Sequence, residues 1–203
     1  IDHVGGQADI AAGVVRCIGD AEGRFGEDRL RLLRAVRFAV RFGFTIEAAT
    51  WAALRRHAAA IGAVSAERIR DELSGLKEEG AVRAVGVSCH DFGALEVACN
   101  HPWVDVVLAR INNVGKSALM DAPVEEVTGV LKQARANGKV IIGMKIFGEG
   151  ACKTPELRLE SLKYVLGLNA VDAFTIGFSS TAQIDETLEM IEEASGVIRK
   201  AAA

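Results

Sequence analysis

Four apolar, β-branched runs recur along the second part of this 203-residue chain and constrain its fold more than any other feature. They are VRAVGV (82–87), VDVVLA (104–109), KVIIGMKI (139–146) and AFTIGF (173–178). Runs that are apolar throughout are typical of parallel strands covered on both faces. Their starts lie about 22 to 36 residues apart, which leaves room for a crossover helix. We therefore predict four right-handed βα units, forming either half of a (βα)8 barrel of the TIM type or a small open sheet.

Helix signals separate these runs. Asp91 is placed to cap one helix, Pro123 lies in the first turn of a second, and Thr154 opens a third. Ser180 and Gln183 form a capping box for the last helix. We expect that helix to bury one stripe of residues: Ile184, Leu188 and Ile191.

The basic residues change type about a third of the way along the chain. Residues 1–73 contain eleven arginines and no lysine against ten acidic residues, a net charge of +1. Residues 74–203 contain five arginines and eight lysines against seventeen acidic residues, a net charge of −4, and the two sum to −3. We therefore predict two domains with this boundary. They are joined inside one helix, SAERIRDELSGLKEEG, whose apolar stripe runs through the junction: Ile69, Leu73 and Leu76.

The first domain is expected to be an all-α module preceded by a short strand at 14–19. The pattern predicts a helix over Glu27–Phe42 that Gly43 ends, and a second helix over about 47–61. Ser65 is a suitable N-cap for a third.

Two faces of the helix at Glu27–Phe42 differ in chemistry. The expected buried face consists of apolar side chains: Leu32, Leu33, Val36, Ala39 and Val40. Another face is basic: Arg31, Arg34, Arg37 and Arg41. That basic face has two interpretations, a solvated surface with salt bridges or a surface that recognises phosphates and bases.

Composition excludes several classes of protein. Four cysteines show no paired spacing, and we interpret them as reduced thiols of a cytoplasmic protein: Cys17, Cys89, Cys99 and Cys152. No apolar run has membrane-spanning length, and no residues show metal-ligand spacing. Because the first residue is Ile and not Met, we expect a fragment of a longer protein.

Three motifs follow one another in residues 1–73: GGQADIAAGVVRCIGD, EDRLRLLRAVRFAVRFGFTI and VSAERIRDEL. Together they resemble the bacterial family of CCA-adding tRNA nucleotidyltransferases and poly(A) polymerases. The resemblance implies that Asp28 and Arg31 hydrogen-bond the Watson–Crick edge of CTP or ATP, with Glu27 positioning Arg31. A carboxylate accepts from an exocyclic amine, and a guanidinium donates to ring nitrogens and carbonyls. Arg34 and its neighbours on the basic face would help to hold the triphosphate.

The same family carries its metal-binding carboxylates upstream of such a segment and its tRNA-binding body downstream. Phosphoryl transfer needs those metals to neutralise developing charge. We therefore expect Mg²⁺ only if that head is present, and weak or absent binding of tRNA by this chain.

Residues 74–203 resemble the C-terminal half of the aldo/keto reductase family. VRAVGVSCH, GKVIIGMKIFGEG and TIGFSSTAQIDETL are similar to its fifth, seventh and eighth strands. The resemblance implies a site for NADP(H) or NAD(H), in which Ser88 meets the nicotinamide carboxamide. Four residues would meet the adenosine end of the cofactor: Gly177, Ser179, Gln183 and Glu186.

Several positions depart from that family's pattern. Cys89 stands where an asparagine is usual, Phe178 replaces a basic residue, and Gln183 replaces the arginine that pairs with the 2′-phosphate. The choice between NADP and NAD therefore stays open.

The reductase family places its catalytic Asp, Tyr, Lys and His on four earlier strands, so we expect a catalytically incomplete chain. Three functions remain open: an NAD(P)H-dependent oxidoreductase remnant, an RNA nucleotidyltransferase remnant that binds CTP or ATP, and a non-enzymatic chimera. A half barrel would expose strand edges at 82–87 and 173–178. We therefore predict either a homodimer formed through these edges or a poorly soluble protein.

Overall fold

A computed structural model of the chain describes residues 2–201, with side chains for 2–196. The chain divides into two compact units, Ile1–Val85 and Gly86–Ala203. The domain boundary that the basic residues predict lies within a helix of the first unit, Ala66–Glu78, which continues unbroken through it as the sequence indicates.

The described residues of the first unit form five α-helices and two short strands. They are α1 (Gly6–Ala12), β1 (Val14–Val15), α2 (Ala21–Glu27), α3 (Arg31–Phe42), β2 (Thr45–Ile46), α4 (Ala48–His57) and α5 (Ala66–Glu78). A 3₁₀ helix over Ala58–Ala63 follows α4. The strands pair in parallel, with Val14 opposite Thr45. The predicted strand is therefore confirmed over two residues, and its pairing with β2 means that the unit is not wholly helical.

The predicted helix over Glu27–Phe42 is wrong at its start, because the chain breaks between α2 and α3. Asp28 is extended, with φ −143° and ψ 103°, and its carboxylate accepts a hydrogen bond from the Leu30 N–H at 3.1 Å. An Asp that binds the backbone two residues ahead competes with helix formation. The N-terminal part of the predicted helix belongs to α2, which Asp20 caps by accepting from the Gly23 N–H at 2.9 Å.

Two helix boundaries that the sequence predicts in this unit are confirmed, the end of α3 at Gly43 and the start of α5 after Ser65. Gly43 ends α3 in the left-handed region at φ 66°, where glycine has no Cβ penalty. The following Phe44 N–H donates to the Ala39 carbonyl at 2.9 Å. Ser65 caps α5 by accepting from the Arg68 N–H at 3.4 Å.

The apolar core of this unit is small and lies where α2, α3 and α4 meet. Its buried residues are Phe25, Leu32, Ala35, Ala53 and Leu54. The predicted apolar face of α3 is therefore wrong in part, since Val36 and Val40 are 37% and 52% exposed. The reason is α2, which the sequence pattern did not reveal and which places Phe25 against Leu32 and Ala35. In α5, Leu76 is buried, whereas Ile69 and Leu73 are half-buried.

Four strands and four α-helices alternate in the described residues of the second unit. They are β3 (Gly86–Ser88), α6 (Phe92–Asn100), β4 (Val106–Arg110), α7 (Val124–Ala136), β5 (Val140–Met144), α8 (Pro155–Gly167), β6 (Ala173–Phe174) and α9 (Thr181–Ala201). The sheet order is β3-β4-β5-β6, and every pair is parallel. The four predicted βα units are thus present, with β3 beginning four residues later than expected. Their identity as half of a (βα)8 barrel stays a prediction.

The core of this unit lies between the sheet and its helices. Along β4, Val107 and Ala109 are buried, whereas Val106 and Leu108 are half-buried, as alternation along a strand requires. From α7 the core receives three buried residues: Val127, Leu131 and Ala134. Asp91 and Thr154 cap α6 and α8 as the sequence predicts.

The predicted buried stripe of α9 is wrong for two of its three residues. Ile184 and Leu188 are 39% and 55% exposed, and the buried residues are instead Thr187, Met190 and Ala194. Ion pairs explain this rotation of the helix. Glu186 and Glu193 of α9 bind Arg158 and Lys163 of α8, each at 3.0 Å, and so turn Ile184 and Leu188 away from the core. Ile191 is half-buried and packs against the core.

Candidate functional site

The break between α2 and α3 brings together three of the four residues predicted to bind a nucleotide. Glu27 ends α2, Asp28 is its C-cap, and Arg31 begins α3. Because the backbone between them is extended at Asp28 and not helical, neighbouring polar side chains leave the chain in different directions. The local cause is the competition between the Asp28 side chain and the helix, so the break and the predicted site have the same origin.

Asp28 is held from two sides. One carboxylate oxygen, Oδ1, accepts from the Leu30 N–H and also from the Arg68 guanidinium of α5 at 3.3 Å. Partial burial acts to raise the pKa of Asp28, but the Leu30 hydrogen bond and the charge of Arg68 outweigh it and lower that pKa. The carboxylate is therefore ionised near neutral pH, and both of these bonds fall on the same oxygen.

Glu27 holds Arg31 through an ion pair of 2.8 Å between Oε2 and Nη1. The same oxygen accepts from Arg24 at 2.7 Å, and Arg31 Nη1 also donates to the Arg24 carbonyl at 2.9 Å. These bonds fix one end of the Arg31 guanidinium, which has further N–H donors to offer a ligand. The Arg31 hydrogen bond, with the charge of Arg24, lowers the pKa of Glu27.

The basic face of α3 divides into an engaged part and an open part. Arg37 donates to the carboxylates of Glu72 and Glu79, and Arg41 lies 2.9 Å from Glu79. These hydrogen bonds raise the pKa of Arg37 and lower that of Glu79. Both arginines are therefore parts of a salt-bridge network between α3 and α5.

Arg34 lies in the open part of that face. Its side chain is 48% exposed, and its Nε is 3.5 Å from Glu72, farther than the Arg37 contact of 2.9 Å with the same carboxylate. Arg34 is therefore better placed than Arg37 to bind an anion. Of the two interpretations of the basic face, salt bridging fits Arg37 and Arg41.

Arg68 belongs to this site, although the sequence reasoning missed it. It lies forty residues from Asp28 and approaches it only because α5 packs beside the start of α3. The motif SAERIRDEL contains Arg68, but spacing along the chain cannot show which carboxylate it pairs with. Its 3.3 Å contact makes it a positioning residue for Asp28.

The residues predicted to bind a nicotinamide cofactor lie in the second unit and fall into two groups. Ser88 ends β3, where its hydroxyl contacts His90 Nε2 at 3.2 Å and Met144 Sδ at 3.9 Å. The second group lies at the start of α9: Gly177, Ser179, Gln183 and Glu186.

A cavity of about 520 Å³ opens beside this second group. Gly177 and Gln183 line it, together with Met144, Phe147 and Arg158. The Gln183 side chain accepts from the Ser179 N–H at 2.9 Å, which differs from the predicted capping box because the bond reaches residue 179 and not 180. The Ser180 Oγ does accept from the Gln183 N–H, at 3.4 Å.

Glu186 does not line this cavity but binds a residue that does. Its carboxylate accepts from the Arg158 guanidinium at 3.0 Å. Arg158 also donates to the Cys152 carbonyl at 3.2 Å. The cavity wall therefore contains one arginine whose charge is already balanced by Glu186.

A chain of polar side chains at the carboxyl ends of β3 and β4 was also missed. Asp121 accepts from Arg110 Nη1 at 3.0 Å, and Arg110 Nη2 donates to His90 Nδ1 at 2.6 Å. Because a guanidinium cannot accept, His90 Nδ1 must be the acceptor and Nε2 must carry the proton. The imidazole then donates to the Ser88 hydroxyl, which leaves the Ser88 O–H as a donor.

Within residues 2–201, no group of three or more His, Cys, Asp or Glu side chains is arranged to hold a metal ion. Helices of that same part are too short or too polar to cross a bilayer.

Comparison with known proteins concerns the first unit. The model of a family described as "Probable RNA and SrmB- binding site of polymerase A" matches residues 43–84. The match covers α4 and α5 and extends past the boundary that the basic residues predict.

Several curated proteins are similar to a part of this chain. A CCA-adding enzyme of Lactiplantibacillus plantarum is 49% identical over 72 residues, which are 36% of this chain and 18% of that protein. The CCA-adding enzyme of Bacillus subtilis is 41% identical over 83 residues, 41% of this chain and 21% of that protein. A CC-adding tRNA nucleotidyltransferase of Geobacter sulfurreducens is 47% identical over 73 residues, 36% and 16% of the two chains.

The chain thus spans about a fifth of the length of the curated relatives that it matches. It contains a segment similar to RNA nucleotidyltransferases, which confirms the predicted resemblance at that level. The resemblance of residues 74–203 to the aldo/keto reductases stays a prediction.

Proposed function

We propose that the first unit recognises the nucleobase of CTP or ATP, as a part of an RNA nucleotidyltransferase of the CCA-adding type. The observation that carries this proposal is the 49% identity over 72 residues to a CCA-adding enzyme. The arrangement of Glu27, Asp28 and Arg31 supports it, because an ionised acceptor and a fixed donor lie next to each other at the α2–α3 break.

The chemistry of these two groups favours C and A over U and G. Cytosine and adenine each carry an exocyclic amine, which donates to the Asp28 carboxylate, beside a ring nitrogen, which accepts from Arg31. Uracil and guanine place a carbonyl oxygen where the amine would be, so Asp28 would face a second acceptor. A well-formed pair of this kind is worth about 1–3 kcal/mol of discrimination, or roughly tenfold to a hundredfold in affinity.

The remaining residues have supporting roles in this proposal. Arg34 contributes to phosphate binding because its guanidinium is exposed and only loosely paired with Glu72. Glu27 holds Arg31, and Arg68 holds Asp28. Mg²⁺ would belong to the phosphoryl-transfer chemistry of the full-length relatives, and none of the residues of this site is proposed to bind it.

Nucleotide binding by the 203-residue protein tests the proposal. Isothermal titration with CTP, ATP, UTP and GTP is expected to show binding of the first two about tenfold or more tighter than of the others. Arg31→Ala is expected to remove this preference, whereas Arg70→Ala, an arginine of α5 paired with Asp71, leaves it unchanged. Equal affinity for all four nucleotides, or an Arg31→Ala variant with normal preference, contradicts the proposal.

A second candidate function is binding of a nicotinamide dinucleotide by the second unit. The observation that favours it is the cavity of about 520 Å³ that Gly177 and Gln183 line, with Met144 connecting it to Ser88. Ser88, with its O–H directed as a donor, would meet a carboxamide oxygen. Ser179 and Glu186 would act through the Gln183 and Arg158 side chains that they contact.

Fluorescence titration with NADPH and NADH tests this second candidate. Quenching or enhancement that saturates is expected for the unaltered protein, with weaker binding for Gln183→Ala. Gln133→Ala serves as the matched control, because Gln133 lies on α7 and contacts Asn137. A flat titration up to millimolar cofactor removes the candidate.

A further inference from the structure

The helix that follows the last strand presents apolar side chains on the side away from its neighbour. Ion pairs of Glu186 and Glu193 define the side of α9 that faces α8. With 3.6 residues per turn, Ile184 and Leu188 then lie on the opposite flank. Leu188 is 55% exposed. This set, the α9 flank, was expected from the sequence to be buried.

The helix that follows the first strand of the sheet has a corresponding flank. A cavity between α6 and α7 is lined by Glu96, Cys99 and Asn100, which mark the side of α6 that faces α7. Leu95 and Ala98 are buried toward the core. Val97 lies away from α7 and is 66% exposed. The outermost helices of the unit therefore both present apolar side chains outward.

The strands beneath these helices are the edges of the sheet. In the order β3-β4-β5-β6, the described residues of this unit give β3 and β6 a partner on one side each. An unpaired edge is a template for another strand. All four strands run in the same direction, so β6 of one chain and β3 of a second can pair in parallel.

We infer that a second copy of this chain covers these surfaces, with β6 of each copy pairing with β3 of the other. A two-fold axis along the strands satisfies both edges of both copies at once and closes an eight-stranded barrel. The helix that covers each new pair of strands is α9, so its flank of Ile184 and Leu188 packs beside Val97 of the other copy.

A second copy fits this surface better than an unrelated partner, because it has the two elements that the surface lacks. An occupant must supply a parallel strand next to β6 and an apolar helix flank next to Leu188, and must do so in the register of a βα unit. The β3–α6 unit of another copy has both, and the same contact satisfies its own exposed edge. Closure also covers the second face of the sheet, where Val106, Leu108 and Ile142 are half-buried.

Sedimentation velocity over a wide range of protein concentrations tests this inference on the 203-residue chain. The unaltered protein is expected to be a dimer at the higher concentrations. Leu188→Glu and Val97→Glu each place a charge in the interface and are expected to raise the dimer dissociation constant about tenfold or more. Leu157→Glu is the matched control, since Leu157 is 40% exposed on the inner helix α8, and its effect is expected to stay within about twofold.

Circular dichroism of each variant separates a lost interface from a lost fold. Should Leu188→Glu unfold, Leu188→Gln and Val97→Glu provide the same comparison. A monomer at all concentrations overturns the inference. So does a dimer that Leu188→Glu and Val97→Glu weaken no more than Leu157→Glu does, because it must then use another surface.

Discussion

The two units of the chain are stabilised by different means. Among the residues whose side chains the structure describes, twenty-one buried residues form the apolar core of the second unit, whereas five form that of the first. The first unit adds a network of ion pairs between α3 and α5, in which Glu72, only 6% exposed, lies between Arg34 and Arg37. Polar contacts thus hold the helices that carry the proposed nucleotide site, while the sheet depends on apolar packing.

A small core leaves few apolar contacts to fix the α2–α3 break, so Asp28 and Arg31 depend on the charged neighbours that hold them. Substitutions in that network should change both stability and the site, whereas substitutions in the larger core should change stability alone. Trp51 lies in the first unit and Trp103 packs against the core of the second, so single-tryptophan variants report on each unit separately.

The largest effect is expected from Phe25→Ala. Phe25 is fully buried at the centre of the five-residue core, and its truncation is expected to cost about 3–5 kcal/mol. Urea unfolding followed by Trp51 fluorescence in a Trp103→Phe background measures it. Phe38→Ala, at an exposed position of α3, is the control and should cost less than about 0.5 kcal/mol. Equal losses for the two variants would mean that the first unit lacks this core.

Leu131→Ala tests the larger core in the same way. Leu131 of α7 is fully buried, and its truncation is expected to cost about 2–5 kcal/mol. Unfolding followed by Trp103 in a Trp51→Phe background gives the value. The comparison variant Leu157→Ala removes an exposed leucine and should lie well below it. A cost under about 1 kcal/mol for Leu131→Ala would show that the sheet core is loosely packed.

Glu72→Gln tests how much the ion pairs between α3 and α5 contribute to the stability of the first unit. The amide keeps the shape of the side chain but loses the charge that Arg37 and Arg34 share, so we expect a loss of about 1.5–3 kcal/mol. Glu67→Gln, at the exposed start of α5, is the control. The Trp51 signal measures both. If Glu72→Gln is as stable as the control, the network contributes nothing measurable to the first unit.

The smallest effect is expected from pH. Arginine contacts lower the pKa of Glu79 and Glu27 in the first unit, whereas in the second the Ile141 hydrogen bond lowers that of Asp172. A carboxyl whose folded pKa is lowered stabilises the fold above its ordinary pKa of 3.8 or 4.5. That stabilisation is lost as pH falls through the lowered value.

More such carboxyls belong to the first unit: Asp2, Glu22, Glu27, Asp28, Glu47 and Glu79. We therefore expect the Trp51 transition to weaken before the Trp103 transition during acid titration of the two single-tryptophan variants. The reverse order would contradict the contrast between the units.

Local signals in the sequence predicted much of the fold. Gly43, Ser65 and Asp91 act on backbone groups within a few residues, so their positions alone located helix ends. The parallel strands followed from runs that are apolar throughout. The break at Asp28 was missed because a side chain that competes with a helix for its own backbone does not alter the apolar pattern around it.

The rest depended on contacts between distant residues. The rotation of α9 is set by Arg158 and Lys163 of another helix, and no pattern within α9 reveals which flank those partners choose. The pairing of Asp28 with Arg68 likewise depends on how α5 packs against α3. Three residues of the proposed nucleotide site were therefore accessible from one motif, EDxxR, whereas the residue that positions Asp28 was not.

Backbone NMR of the ¹⁵N-labelled chain during titration with CTP directly tests whether the nucleotide binds at the α2–α3 break, because it locates the ligand without any substitution. We expect CTP to shift the amide signals of residues 27–34 and of Arg68, and UTP at the same concentrations to shift them much less. Signals that move equally with both nucleotides, or that move only in residues 86–203, would contradict it.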